Sequence, residues 1–218
     1  MKSDEYLRVG NNYYKKVQPP STTDDKTTIL KKWSEKFIIA DYGRDFLTQI
    51  PKYDGFCNIP DHINYKQTLN NFYNQYEKLP YKVEKIIDED IKSISTQIPY
   101  SIKFLKHIFQ EQLEIGLDYL KILLEYPAQI LPILCLVSRE RATGKSTFIK
   151  WVRNIFGRNV TYIKGDTFAS QFNADWASKL VVAVDEVFFD RKEITERLKY
   201  LSTTNKDKVE AKGQDRYE

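Results

Sequence analysis

The chain has 218 residues, of which 41% are hydrophobic and 29% charged, with a formal net charge of +4 and two cysteines. That length allows one large domain or two small ones, and no apolar run approaches the roughly 18 residues of a membrane-spanning helix. The polar first ten residues lack the apolar region of a signal peptide, so we expect a cytoplasmic protein of a bacterial or phage-infected cell, with no membrane partner and no disulfide framework.

The first twenty residues predict two short aromatic strands around a turn at residues 10–12, stopped by two prolines. A helical run is predicted from about Lys26, with Ile29, Trp33 and Phe37 forming one buried stripe at a four-residue spacing. Residues 51–80 are rich in turn formers and aromatics, and we expect them to be irregular but packed.

Many of the 15 tyrosines lie beside lysines. Interleaved tyrosine and lysine can stack on bases and neutralise phosphates, although a bias in composition would produce the same pattern. The two histidines, His62 and His107, have no Cys or His nearby, so we predict structural roles for both and no zinc site.

A polar, charged segment over residues 81–98 predicts the boundary between two domains, although a solvated helix face would look similar. We place an accessory domain at residues 1–95, for oligomerisation as a collar or for DNA contact, and a second domain at residues 96–218. A helical pattern runs from Pro99 to Pro127, and Gly116 is a candidate break within it.

The stretch SRERATGKSTF, residues 138–148, ends like a phosphate-binding loop. The apolar run 130–137 before it predicts a strand buried on both faces. The residues after it predict a helix with Phe148, Val152 and Ile155 on one face and Gly157 at its end. Strand, loop and helix in this order favour a nucleotide site over a chance match of Gly-Lys-Ser.

In such a site, backbone N–H groups and the helix N-terminus hold the phosphates of ATP. Lys145 would reach the β and γ oxygens, and the hydroxyl of Ser146 would ligate Mg²⁺. We therefore assign ATP binding to the loop and the start of the helix: Arg141, Ala142, Thr143, Gly144, Lys145, Ser146 and Thr147.

A second apolar strand pattern at residues 179–190 contains the acidic pair Asp185-Glu186. Beside a phosphate loop, Asp185 would orient the Mg²⁺ and its water, and Glu186 would polarise the attacking water. We therefore predict Lys145, Asp185 and Glu186 as the catalytic residues and Ser146 with Asp185 as the metal ligands.

The loop departs from the consensus G-x-x-x-x-G-K-[ST] in two places. Arg139 occupies the position of the first glycine, and Ala142 stands where many loops have another glycine. Arg139 and Arg141 add positive charge near a polyphosphate. We interpret the loop as functional.

Three blocks in this order (LPILCLVSRERATGKSTFIKWVRNIFG, FNADWASKLVVAVDE and LSTTNKDKVEAKGQDR) resemble the core of superfamily 3 helicases. The chain is most similar to the phage and mobile-element primase-helicase type, over about residues 97–218. The resemblance implies an α/β fold with a P-loop AAA+-like parallel sheet, incomplete here, preceded by a mostly helical α+β domain. It also implies an ATP- and Mg²⁺-dependent helicase of DNA replication, assembled as a hexameric ring on single-stranded DNA or RNA.

The third block resembles the basic hairpin region of that family. By this resemblance, Lys212, Gly213 and Arg216 lie near a nucleic-acid channel, and Lys206 and Lys208 just upstream contribute phosphate contacts. A solvated charged loop is the alternative interpretation of these lysines.

We call the third block, residues 201–216, the Lys-Gly block. In the family, it is followed by a strand with a sensor asparagine and then by an arginine finger. Neither is present before residue 218, so we expect a fragment. In the family's sheet the missing strand lies between the phosphate-loop strand and the acidic strand, so the facing edges of these two strands would stay unpaired or would pair directly with each other. Such a chain would bind nucleotide and nucleic acid with little hydrolysis. The other open hypotheses are a P-loop ATPase that is not a helicase and a nucleic-acid-binding scaffold with a vestigial loop. We expect no primase activity.

Overall fold

The structure is a computed structural model that describes residues 2–20, 28–83, 96–170, 173, 176–185 and 192–203. The chain divides into two compact units, one formed by residues 1–59 and 66–75 and the other by residues 60–65 and 76–218. The predicted linker lies in a region of which residues 84–95 are outside the described part, so its position stays a prediction.

The first unit is built on a four-stranded sheet of order β3-β2-β1-β4, so the expectation of a mostly helical N-terminal domain is wrong for its described residues. Its strands are β1 (Tyr6–Val9), β2 (Asn12–Val17), β3 (Ile29–Trp33) and β4 (Lys52–Tyr53). The first two form the predicted aromatic hairpin, with antiparallel pairing from Tyr6 opposite Lys15 to Val9 opposite Asn12. Two helices, α1 (Glu35–Tyr42) and α2 (Phe46–Gln49), follow β3.

The helix predicted from Lys26 with a buried stripe is wrong. Ile29 to Trp33 form β3, paired antiparallel with β2, and the helix begins only after Ser34. Phe37 is 64% exposed, and the helix is anchored by Ile38 instead. The four-residue spacing of Ile29, Trp33 and Phe37 spans a strand and a helix, and neither period applies across that boundary.

A second, three-stranded sheet of order β5-β7-β6 completes the first unit. It consists of β5 (Gly55–Cys57), β6 (Thr68–Leu69) and β7 (Phe72–Asn74). The buried Asn74 amide accepts a hydrogen bond from the Ile59 N–H at 3.0 Å and donates to the carbonyls of Ile59 and Lys66 at 2.9 and 3.1 Å. These bonds satisfy backbone groups next to the short strands. The prediction that residues 51–80 are irregular is wrong in part, because the region contains the four short strands β4 to β7.

The second unit begins with two helices, α3 (Pro99–Phe109) and α4 (Leu113–Glu125), joined by a 3₁₀ turn at Gln110–Gln112. Pro99 occupies the first helical position, where its missing N–H costs nothing. The break falls at Gln110, which has φ 50°, and not at Gly116. Gly116 is buried inside α4, and a Cβ there would come within 2.5 Å of the Phe109 ring, so its role is close packing.

Helix α5 (Lys145–Phe156) buries Phe148, Val152 and Phe156 in the main core. It ends at Gly157 with φ 59°, as the sequence predicted. The chain continues through β8 (Val160–Lys164), the short helix α6 (Gly165–Ala169), β9 (Val181–Asp185) and α7 (Lys192–Thr203). Strands β8 and β9 pair in parallel.

The apolar run 130–137 is not a strand, contrary to prediction. It is irregular, and Ile130, Ile133 and Val137 are 48%, 50% and 89% exposed. In the part of the chain that the structure describes, it has no partner strand, and Pro132 in its middle cannot donate a ladder hydrogen bond. The chain is therefore α/β with small mixed sheets, and the predicted P-loop parallel sheet is not shown. No helix of the described ranges is long and apolar enough to cross a membrane.

Residues 60–65 and 76–83 are held in the second unit by buried polar side chains. His62 lies between the carbonyl of Leu124 and the hydroxyl of Tyr76, at 2.6 and 2.5 Å. Asn159 exchanges two hydrogen bonds with the backbone of Glu77, at 3.1 and 2.8 Å. Both side chains supply partners to backbone that belongs to no sheet, and His62 has the structural role that we predicted.

Candidate nucleotide site

The site is built at the start of α5. Gly144 precedes the helix with φ 94°, a left-handed conformation that glycine adopts without steric cost, and its carbonyl accepts the N–H of Phe148 at 2.8 Å. Lys145 is the first residue of the helix, and Ser146 and Thr147 lie exposed in its first turn. The N–H groups of a first turn have no partners within the helix, so this end suits an anion.

The ammonium group of Lys145 turns back onto the loop that precedes the helix. It donates to the hydroxyl oxygens of Ser138 and Thr143, the second at 3.1 Å. Ser138 Oγ donates to the carbonyl of Glu140 at 2.8 Å, and Thr143 Oγ1 lies 3.0 Å from Ser138 Oγ. Because Ser138 has a single hydroxyl proton, Thr143 is the donor in that last bond. The lysine and two hydroxyls thus join both ends of the loop.

Helix α3 packs against the loop from outside the predicted motif. His107 Nε2 lies 3.2 Å from the carbonyl of Thr143, which can only accept, so Nε2 carries a proton. A Cβ on Gly144 would lie 3.1 Å from Ile108 Cδ1, so this position is tight for any larger residue. The contact of His107 adds to the structural role that we predicted for it. Nothing in its neighbouring sequence indicates this contact, because it depends on how α3 docks.

The two departures from consensus have a visible structural result. Ala142 has φ 57°, a left-handed conformation that costs a non-glycine residue roughly 1–2 kcal/mol. Arg139, Arg141 and Ala142 are all exposed, so both guanidinium groups are open to an incoming anion. The loop therefore retains the backbone shape that glycine would favour and carries additional positive charge.

The acidic strand was predicted in the right place. Asp185 is the last residue of β9, in register with Lys164 of the parallel strand β8. The other predicted site residues lie outside the described residues, and their roles stay predictions: Glu186, Lys206, Lys208, Lys212, Gly213 and Arg216. Among the predicted site residues, the structure brings together Thr143, Lys145 and the first turn of α5. A metal site shared by Ser146 and Asp185 stays a prediction.

Residues 136–218 match the model of a family of unknown function, DUF5906. The matched part contains the loop, β9 and the Lys-Gly block, and it is less than half of the chain. No curated protein matches the chain.

Three solved chains, all apo structures of the C-terminal region of NrS-1, are similar in fold. Their TM-scores are 0.67, 0.62 and 0.59, at 16% sequence identity. The match covers 99% of this chain and 51% of each solved chain, so this chain spans about half their length. The likeness shows that this chain shares the fold of part of that region.

Proposed function

We propose that this chain binds ATP with Mg²⁺ at the loop 138–147 and belongs to an ATP-driven helicase of phage or mobile-element DNA replication. The observation that carries the proposal is the position of Lys145. Lys145 is the first residue of α5, and its ammonium group donates to two hydroxyls of the preceding loop, those of Ser138 and Thr143. A phosphate oxygen could replace these weak neutral acceptors and form a charge-assisted hydrogen bond.

The residues around the loop fit a polyphosphate. Arg139 and Arg141 of the loop and Lys145 at the start of α5 add three positive charges to the segment that ends in the first-turn N–H groups. In this proposal the N–H groups bind the phosphates, Lys145 orients the β and γ groups, and Ser146 with Asp185 holds the Mg²⁺. When bound, Mg²⁺ supplies neutralisation of the charge that develops on the transferred phosphoryl group. Glu186 accepts the proton of the attacking water.

The helicase part of the proposal rests on the resemblance of the three sequence blocks. In it, the lysines at 206–212 and Arg216 contact single-stranded DNA or RNA, and the full protein forms a hexameric ring. A second candidate function is a nucleotide- and nucleic-acid-binding protein with little hydrolysis. Arg139 and Ala142 favour it, because each puts a side chain at a position where many phosphate-binding loops have glycine, which allows close approach to phosphate.

The test is ATP-Mg²⁺ binding to the purified chain, measured by calorimetry, with hydrolysis followed in the same samples. Lys145→Ala should lose at least tenfold in affinity, because a charge-assisted hydrogen bond contributes about 1.5–3 kcal/mol. Lys150→Ala is the matched control, since Lys150 is an exposed lysine of the same helix. Equal ATP affinity of both variants and the parent chain would overturn the nucleotide site. Binding without turnover would select the second candidate function.

A further inference from the structure

The four-stranded sheet of the first unit has an unusual distribution of charge. Its strands carry six basic residues and no acidic one: Arg8, Lys15, Lys16, Lys31, Lys32 and Lys52. Lys15 and Lys31 stand directly opposite each other across β2 and β3. Like charges in that relation repel, but Lys15 Nζ lies 5.2 and 5.1 Å from the ring centroids of Tyr6 and Trp33 on the same face, a favourable cation–π arrangement.

The two faces of this sheet are used differently. Residues alternate between faces along a strand, so the core residues Tyr6 and Tyr13 lie on one face, where Ile38 of α1 packs on them. Tyr14 and Lys16 of β2 lie on the opposite face. The strand register adds further residues to that opposite face: Leu7, Val9, Leu30, Lys32 and Tyr53.

Tyr14 and Tyr53 of the second face contact Phe56 and Tyr73 of the three-stranded sheet, and the four rings form a connected group. Tyr14 and Phe56 have centroids 5.2 Å apart, and Tyr53 and Tyr73 are also 5.2 Å apart. Phe56 and Tyr73 join the two pairs at 6.2 Å. All four residues are half-buried, so each is fixed by packing and retains an accessible portion.

Cations lie directly beside these rings. Lys16 Nζ is 6.0 Å from the centroid of the Tyr73 ring, and Lys32 is the cross-strand neighbour of Tyr14 and is exposed. The two ammonium groups come from the adjacent strands β2 and β3, and the rings come from β2 and β4 of the same sheet and from β5 and β7 of the three-stranded sheet.

We propose that this aromatic-lysine face, formed by Tyr14, Lys16, Lys32, Tyr53, Phe56 and Tyr73, binds single-stranded nucleic acid. Rings that are fixed and partly accessible can stack on unpaired bases, while the lysines neutralise successive phosphates. A duplex would offer the phosphates but would keep its bases stacked inside. All residues of this face belong to the first unit, and its binding requires no ATP.

The test is fluorescence anisotropy of a labelled dT20 oligonucleotide with the full chain, over a range of salt concentrations. The double variant Lys16→Ala, Lys32→Ala should bind roughly 10- to 100-fold more weakly at 50 mM salt. The slope of log K against log salt concentration is negative, and its magnitude should decrease by about 1.4, because two phosphate contacts are lost and each contributes about 0.7 on a single strand. Lys36→Ala is the control, since Lys36 is an exposed lysine of α1, on the other side of the sheet.

Stacking is tested by Tyr14→Leu, which should weaken dT20 binding about 5- to 150-fold and leave the binding of an abasic 20-mer unchanged. Circular dichroism and urea unfolding verify that each variant is folded. The proposal is overturned if the double variant matches Lys36→Ala, if the parent chain binds dT20 and the abasic 20-mer equally, or if duplex binds more tightly than dT20. Lys145→Ala should bind dT20 normally, so failure of the nucleotide site would be seen separately.

Discussion

Two apolar runs of the second unit have similar compositions and different structures. Residues 130–137 and the run that includes Val181–Asp185 both predict buried strands. Only the second is a strand, with Val160–Lys164 as its parallel partner over five residue pairs. The first is irregular, and Leu134 within it is 37% exposed. Apolar composition alone therefore does not make a strand, because backbone N–H and C=O groups must also find partners.

The difference should be largest in the stability of the fold. Ile163 on β8 is 8% exposed and belongs to a core cluster with Phe168, Trp176 and Ile194, whereas Ile133 is 50% exposed. Ile163→Ala should lower the free energy of unfolding by about 2–5 kcal/mol, because it removes buried methyl groups and leaves a cavity. Ile133→Ala should change it by about 0.5 kcal/mol or less. Urea denaturation of both variants measures the contrast.

Equal losses at the two positions would show that Ile133 is buried in solution, and the contrast between the runs would then fail. The slope of unfolding free energy against urea should stay the same for all three proteins. A changed slope would mean that the substitution alters the compactness of the native or the denatured state, and not only the stability of the fold.

A second prediction concerns residues 60–65, which belong to no sheet and are held by the side chain of His62. Burial lowers the pKa of His62 from its ordinary value of 6.5, with the Leu124 hydrogen bond and the nearby Asp61 acting in the opposite direction. The folded state thus favours neutral His62, while the unfolded chain binds a proton below about pH 6.5. Its contribution to stability is fully present above that pH and is lost as the pH falls toward the folded pKa.

Urea unfolding between pH 7.5 and 5.5 measures this effect, with His62→Asn as the comparison. The variant loses the bond to Tyr76 and should be less stable at pH 7.5. Its stability should depend less on pH, so the two curves should approach each other in acid. Parallel curves would mean that His62 does not titrate with folding, and the assignment of its neutral form would be wrong.

Helix α5 and the loop before it were predictable because their signals are local. Three apolar residues at helical spacing, a glycine on each side and the Gly-Lys-Ser triplet all lie within a few turns of one another. Strand β9 was also recognised from a continuous apolar run. Its partner β8, with β-branched residues at Val160, Thr161 and Ile163, was missed, although such residues are typical of strands.

Features that depend on distant contacts were not predictable. Gly116 looks like a helix break in the sequence, and its true role requires the Phe109 ring that packs on it. The contact of His107 with the loop depends on the docking of α3. Pro132 is the exception, because a proline inside a run of central-strand character is a signal against a strand, and it is visible in the sequence.

The smallest predicted effect is a difference between the labelling rates of two thiols in the folded chain. Cys135 lies in the run 130–137 and is exposed, whereas Cys57 on β5 is half-buried, and burial raises the pKa of its thiol. A raised pKa means less thiolate at a given pH, and thiolate is the reactive form. In native protein at pH 7.5, a disulfide reagent should therefore modify Cys135 several-fold faster than Cys57.

The variants Cys57→Ser and Cys135→Ser show which thiol gives the fast phase of labelling and which gives the slow phase. Labelling in urea gives the reaction rate of each thiol in the unfolded chain. If Cys135 reacts only after unfolding, the run is covered in solution. Rapid native labelling, together with a small effect of Ile133→Ala, would establish that the run is open in this chain. The two outcomes differ because a thiol that is covered in the native protein reacts only when the covering structure opens, whereas an exposed thiol reacts directly.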